Sequence, residues 1–167
     1  MFKEINIRDL NESAVKLIGD EWMLVGAGSD EKFNMMTASW GTLGEMWGMD
    51  IATIVLRPQR YTREFVESND NFSLSFFGDG AQKTIHAVCG SKSGRDIDKA
   101  KESNLTPLFS DGTVYFEEAR IVIICKKVYA YDIDPKNFIG VDDERWYPQK
   151  DYHRAYVGQI LKVLVKE

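Results

Sequence analysis

Strand-sized runs recur along this chain, bounded by glycine, proline and asparagine, and no segment sustains a long helical period. Glu21–Gly28, Phe33–Trp40, Asp50–Leu56, Asn71–Gly78, Val114–Phe116, Ala119–Tyr131 and His153–Val165 all read as strands, rich in β-branched and aromatic residues. A short strand opens the chain, and a helix-like stretch over Asn11–Leu17 follows, with Asn11 or Ser13 as its cap. Tyr61–Asn69, Ala81–Cys89 and Asp96–Ser103 read as short helices, and Gly41–Met46 as a glycine-bearing loop. Six or more strands with few helices point to a β-barrel or sandwich with helical decoration. Strands that do not alternate with long helices disfavour a doubly wound parallel sheet.

Nothing in the 167 residues reads as a linker, a repeat or a low-complexity stretch, so residues 1–167 are expected to form a single domain. A net charge of −5 argues against non-specific nucleic-acid binding, though a local basic pocket remains compatible with it. The N-terminal residues lack an apolar leader, and runs such as Ile121–Cys125 are far shorter than a membrane span. Neither nucleic acid nor membrane is therefore expected as a partner. Cys89 and Cys125 form no CxxC motif and read as buried reduced thiols, which makes a cytoplasmic location the default.

Two segments carry most of the chemistry. In Leu56–Thr62, Pro58 fixes its own φ and keeps Arg57 extended, while Arg60, Tyr61 and Thr62 open a helix. Guanidinium forks, the Gln59 amide and a hydroxyl suit a phosphate, although an exposed turn with surface arginines fits the spacing equally well. In Asn34–Gly41, the two-residue period sets Thr37 and Ser39 on one face, with Met36, Ala38 and Trp40 on the other. Hydroxyls and backbone there suit the polar edge of a heteroaromatic ring; a half-buried strand with Trp40 in the core is the competing account. A ring joined to a phosphate is the outline of flavin mononucleotide (FMN).

Other segments are less specific. Cys89–Asp96 is glycine- and serine-rich and carries Lys92 and Arg95, but it lacks P-loop spacing and equally suits a surface loop. Gly26-Ala27-Gly28 lacks the third glycine of a dinucleotide fingerprint. His86 reads as a structural or surface residue, and His153 sits among aromatic and cationic groups where a ligand contact is plausible. With these two histidines in no HxH or HExxH spacing, a zinc site is not expected. Asp142-Asp143-Glu144 reads as a solvated loop.

In this order, the segments resemble the flavin reductase-like family, of the flavoredoxin type of FMN-binding split barrel. The matching pieces are N-x-M-T-x-S-W at Asn34–Trp40, R-P-x-R-x-T at Arg57–Thr62 and F-x-L-S-F-F at Phe72–Phe77. G-S-x-S-G-R-D-x-D-K follows at Gly90–Lys99, Y-F-E-E-A-R at Tyr115–Arg120 and D-Y-H-x-x-Y-x-G-x-I at Asp151–Ile160. The resemblance implies a mainly β fold: a six-stranded antiparallel Greek-key split barrel with a few short flanking helices, assembled as a homodimer and holding FMN non-covalently. It implies that Met36, Thr37, Ala38, Ser39 and Trp40 face the flavin, and that Arg57, Gln59, Arg60, Tyr61 and Thr62 lie on or near the phosphate. Ser91, Lys92, Ser93 and Arg95 would close over it, with Phe77 and His153 near the ring. Arg57-Pro58-Gln59-Arg60 replaces the proline-rich turn of reductases that use flavin as a diffusible substrate, which implies tightly held FMN.

A flavin carries its own redox chemistry, so no protein nucleophile or metal is expected. The implied activity is oxidoreduction, with NAD(P)H as electron donor and a small molecule or redox protein as acceptor. A non-catalytic FMN carrier, sensor or storage module is the alternative.

Overall fold

Ten strands form in the computed structural model, which describes residues 1–167. In chain order they are β1 (Phe2–Ile5), β2 (Met23–Gly28), β3 (Phe33–Ala38), β4 (Gly41–Met46), β5 (Met49–Leu56), β6 (Asn71–Phe76), β7 (Pro107–Ser110), β8 (Thr113–Phe116), β9 (Ile121–Asp132) and β10 (Arg154–Lys166). The helices are short: α1 (Ala14–Lys16), continued by a π turn over Leu17–Glu21, then α2 (Thr62–Ser68), α3 (Ile85–Ser91), α4 (Lys99–Glu102) and α5 (Asp143–Trp146). Ser13 caps α1 by accepting from the Lys16 N–H. No helix is long and apolar enough to cross a membrane.

Every strand pairing is antiparallel, and the main path runs β3-β2-β6-β9-β10-β5-β4. Six of these strands enclose the core. Met23, Val25 and Ala27 of β2, Phe72, Leu74 and Phe76 of β6, and Ile121, Ile123 and Cys125 of β9 point inward together. Met36 and Ala38 of β3, Ala52, Ile54 and Leu56 of β5, and Tyr156 of β10 complete the ring. This is the period-two pattern of a half-buried strand, repeated around a closed wall. Outward-facing Leu24 and Met35 are covered in turn by Cys89 of α3, Ala100 of α4 and Val114 and Phe116 of β8, so β2 is buried along its whole length.

The barrel is split in two ways. β10 pairs with β5 over Arg154–Gln159 and with β1 over Val163–Lys166, while β9 runs along its other side throughout. β3 and β4, joined only by Ser39 and Trp40, stand at opposite ends of the strand order, so the sheet curls until its ends meet. At that meeting β3 and β5 face one another with no ladder between them. The expected mainly β, antiparallel split barrel is the observed fold, but its main sheet has eight strands rather than six: β1 and β4 add to the six that supply the buried core, and β7 and β8 form a separate hairpin.

Three local readings need correction. Gly41–Met46 is a strand, not a loop: Trp47 (φ 56°) and Gly48 (φ 71°) form a two-residue left-handed turn, and the resulting hairpin pairs β4 with β5 despite its glycines. β7 was not expected, and it forms through the Asp111-Gly112 turn (φ 50° and 70°), which folds it onto β8. Asp142–Glu144 is solvent-facing as expected but is not a loop: Asp143 and Glu144 open α5, and Asp142 caps it, its carboxylate accepting from the Arg145 N–H. The N-terminal segment is tied down by Arg120, which donates to both Glu12 and Glu21.

Inside the barrel β10 bends at Gly158, where the register shifts. A Cβ there would lie 2.7 Å from Phe72 Cζ and 2.7 Å from Cys125 Cβ. Gly158→Ala should therefore lower stability by about 1–3 kcal/mol, the cost of overpacking a core. A urea unfolding curve measures it, and an unshifted midpoint would show that the barrel wall yields there.

Candidate functional site

The seam between β3 and β5 opens into a cleft of about 240 Å³. Met36, Thr37, Ala38, Ser39, Trp40, Val55, Arg57, Arg60 and His153 line it. β3 pairs on one side only, with β2, so its alternate N–H and C=O groups are left free at the open edge. Trp40, just past the strand, packs edge-to-face with Trp146 of α5 and at a tilt against His153, with ring centroids 5.5 and 5.1 Å apart. A second, more apolar concavity of about 470 Å³ borders the cleft and shares Ser39 and Trp40 with it. Ala14, Val15, Ile18 and Leu43 supply its apolar lining.

The two arginines of the cleft are held differently. Arg57 forms an ion pair with Asp151 at 2.7 Å, donates to the Trp146 carbonyl at 2.9 Å and lies over the Tyr147 ring. Arg60 has no carboxylate partner. It donates to the Gly90 and Cys89 carbonyls at the carboxyl end of α3, at 2.8 and 3.1 Å, and burial lowers its pKa. Lys99, only 4% exposed, reaches the same Cys89 carbonyl at 3.1 Å and the Met35 carbonyl at 3.0 Å. Burial first, and then the neighbouring Arg60, push its pKa down to about 8. Two cations thus meet beside the cleft with carbonyl oxygens but no acid to neutralise them.

Both histidines are neutral. His153 Nδ1 lies 2.8 Å from the Tyr147 hydroxyl, and burial together with Arg57 lowers its pKa to about 4. His86 Nδ1 lies 2.9 Å from Thr37 Oγ1, and burial lowers it to about 4 against a smaller opposing pull from Glu21.

Of the residues picked from sequence, Met36, Thr37, Ala38, Ser39, Trp40, Arg57, Arg60 and His153 come together in the cleft. The others stand apart from its lining. Gln59 donates to Asp151 at 2.7 Å and so supports Arg57. Thr62 is buried, its hydroxyl accepting from the Asn34 amide at 2.9 Å. Tyr61 packs on Phe65, and Arg95 covers its ring while pairing with Glu64. Phe77 packs edge-on to His86. Ser91 lies in α3 rather than in a loop, donating to the Ala87 carbonyl; Lys92 is exposed, and Ser93 accepts from the Arg95 N–H.

Sequence reasoning missed Val55, Lys99, His86, Asp151 and the Trp146–Tyr147 pair as parts of the site. Lys99 and Asp151 lay inside quoted motifs, and their carbonyl and arginine partners are set by contacts across many residues. Val55, Trp146 and Tyr147 carry no local signal.

A pH dependence follows from the two neutral imidazoles. Between pH 6.5 and about 4 the unfolded chain binds more protons than the folded one, so stability falls as pH drops through that window. Each ring contributes up to about 1.4 kcal/mol per pH unit. Urea unfolding across this range should show the loss, with a shallower slope in His86→Asn; identical slopes in the two proteins would mean that His86 is not held neutral.

The model of the flavin reductase like domain matches residues 16–167. Among solved structures, an FMN-binding domain of a flavin reductases-like enzyme from Shewanella baltica superposes with TM-score 0.69 at 20% identity, covering 99% of this chain and 77% of that one. Flavoredoxin from Methanosarcina acetivorans gives 0.68 at 19%, covering 99% and 76%. A putative flavin reductase with a split barrel domain from Shewanella frigidimarina gives 0.68 at 15%, covering 98% and 76%. No curated protein sequence matches. With nearly its whole length matched by the family model and its barrel shared with these structures, the chain belongs to the flavin reductase like domain family.

Proposed function

We propose that this protein is a flavoprotein oxidoreductase that holds FMN non-covalently in the β3–β5 cleft and passes reducing equivalents from NAD(P)H to a small-molecule or redox-protein acceptor. One observation carries the reading: a free strand edge and a guanidinium without an acidic partner line the same cleft. The donor set fits the group. The edge of Met36–Ala38 turned away from β2, together with Ser39 and Trp40 beyond the strand, offers N–H and C=O groups to a ring edge that has both carbonyls and an N–H. Arg60, whose terminal nitrogens already donate to the Gly90 and Cys89 carbonyls, brings a positive charge and its remaining N–H groups to the phosphate, with Arg57 held nearby by Asp151.

Bound flavin supplies the hydride and electron chemistry; the chain supplies position, polarity and exclusion of water. Trp40 and the neutral His153 wall the cleft without adding charge. No side chain that lines the cleft is a carboxylate. The apolar concavity behind Trp40 offers the second reactant an approach that does not cross the cationic end.

A homodimer is part of this reading. At about 240 Å³ the cleft is smaller than the ~300–1,000 Å³ that encloses ligands of this class, which favours a second copy closing over it. The exposed Trp47, Tyr129 and Tyr131 give an apolar surface suited to such contact. Two unpaired buried cysteines suit a reducing, cytoplasmic setting.

An absorption spectrum of purified protein, before and after anaerobic NADH or NADPH, tests the activity. Flavin bands bleached over repeated turnovers with an acceptor support the reductase. Bleaching that stops at one equivalent would leave a carrier, and failure to bind added FMN would end the flavin reading. Arg60→Ala tests the phosphate role: FMN binding should weaken by about 1.5–3 kcal/mol, the worth of hydrogen bonds to a charged group. Riboflavin, which has no phosphate, should be affected much less; equal losses by titration would remove Arg60 from the phosphate.

A further inference from the structure

His86 is 2% exposed, sits on α3 and touches the cleft only through Thr37. Its imidazole is packed edge-on against Trp22 and Phe77, with ring centroids 5.8 and 6.2 Å away. Nδ1 lies 2.9 Å from Thr37 Oγ1, while the buried Nε2 has no hydrogen-bond partner. A neutral imidazole carries one proton, and its position decides what Thr37 can do.

Were the proton on Nε2, a buried N–H would be left with no hydrogen-bond acceptor, and Nδ1 would consume the Thr37 hydroxyl proton as an acceptor. With the proton on Nδ1, the unfilled group is a lone pair. Orphaned buried N–H groups are the rarer and costlier of the two. Nδ1–H then donates to Thr37 Oγ1, and the hydroxyl keeps its own proton. Thr37 lines the cleft, so that proton is available there.

We infer that His86 is a positioning residue: by donating from Nδ1 it fixes the Thr37 hydroxyl as a hydrogen-bond donor into the cleft, aimed at an acceptor atom of the bound ligand. The class of ligand served is a heteroaromatic ring bearing a carbonyl oxygen or unprotonated ring nitrogen at its edge. Its identification with FMN rests on the proposed function; the tautomer does not. The His86→Thr37 contact links α3 to β3, so the hydroxyl is oriented before any ligand arrives.

The first arm of the test needs no ligand. In protein labelled with ¹⁵N-histidine, the His86 ring should show Nδ1 protonated and Nε2 bare; the reverse pattern overturns the inference. The second arm is a double-mutant cycle on FMN affinity with His86→Leu, Thr37→Val and the pair. Each single change should weaken binding by roughly three- to tenfold, the worth of one hydrogen bond. The pair should be no worse than either. His86→Asn, whose amide N–H replaces Nδ1–H, should retain near-normal affinity, and Thr37→Ser should do the same. Additive losses, or His86→Leu binding FMN as tightly as the parent while circular dichroism shows it folded, would overturn the inference. An Nδ1–H tautomer in a parent protein that ignores FMN would reject flavin as the ligand and leave the Thr37 donor standing.

Discussion

Two cations, the buried Lys99 and the half-buried Arg60, converge on one carbonyl, and the arrangement of the cleft depends on them. Arg60 comes from the turn after β5, Lys99 from α4, and both donate to Cys89 at the carboxyl end of α3. Lys99 also reaches Met35 of β3, so a single charged knot fixes four elements relative to one another. Burying charge is costly, and the carbonyl end of a helix is where a cation meets partial negative charge without an acid. A second knot lies beside it. Asn34 of β3 donates to Thr62 of α2, and the Asn34 side chain occupies the space where a Cβ on Gly94 would sit, 2.1 Å from Asn34 Oδ1.

Electrostatically the result is local. The chain carries a net charge of −5, yet its cleft holds two guanidinium groups and has an ammonium close behind. Asp151 neutralises one of the three, Arg57; the positive charge of the other two has no acid beside it. Overall charge describes the protein's solubility, and the cleft's polarity is set separately by which cations have acids beside them.

Most of the barrel was legible in the sequence because β-branched and aromatic runs bounded by turn residues mark its strands; in β6 the alternation of Phe72, Leu74 and Phe76 with Ser73 and Ser75 also shows which face is inward, whereas β2, buried on both faces, gives no such signal. β4 was not, since Gly41 and Gly44 weaken its pattern and a tryptophan in a left-handed turn is an unusual hairpin signal. The motifs brought the right segments together but could not separate ligand-facing groups from those that brace them. Arg60 and Arg95 look alike in sequence; Glu64 takes the second and no acid takes the first. Thr37 and Thr62 look alike too, and only the packing shows one at the cleft and the other beneath Asn34. His86 gains its neutrality from rings on other elements, which no local window contains.

The seam between β3 and β5 has a mechanical consequence. Elsewhere in the wall, prising two strands apart breaks a ladder of backbone bonds, whereas β3 and β5 are held by side chains and, only by way of β4, by the Ser39–Trp40 link. Compliance is therefore concentrated along one line of the cylinder, and that line is the mouth of the cleft. A bulky planar guest can be admitted there by small outward motion while the six-stranded core keeps every rung it has.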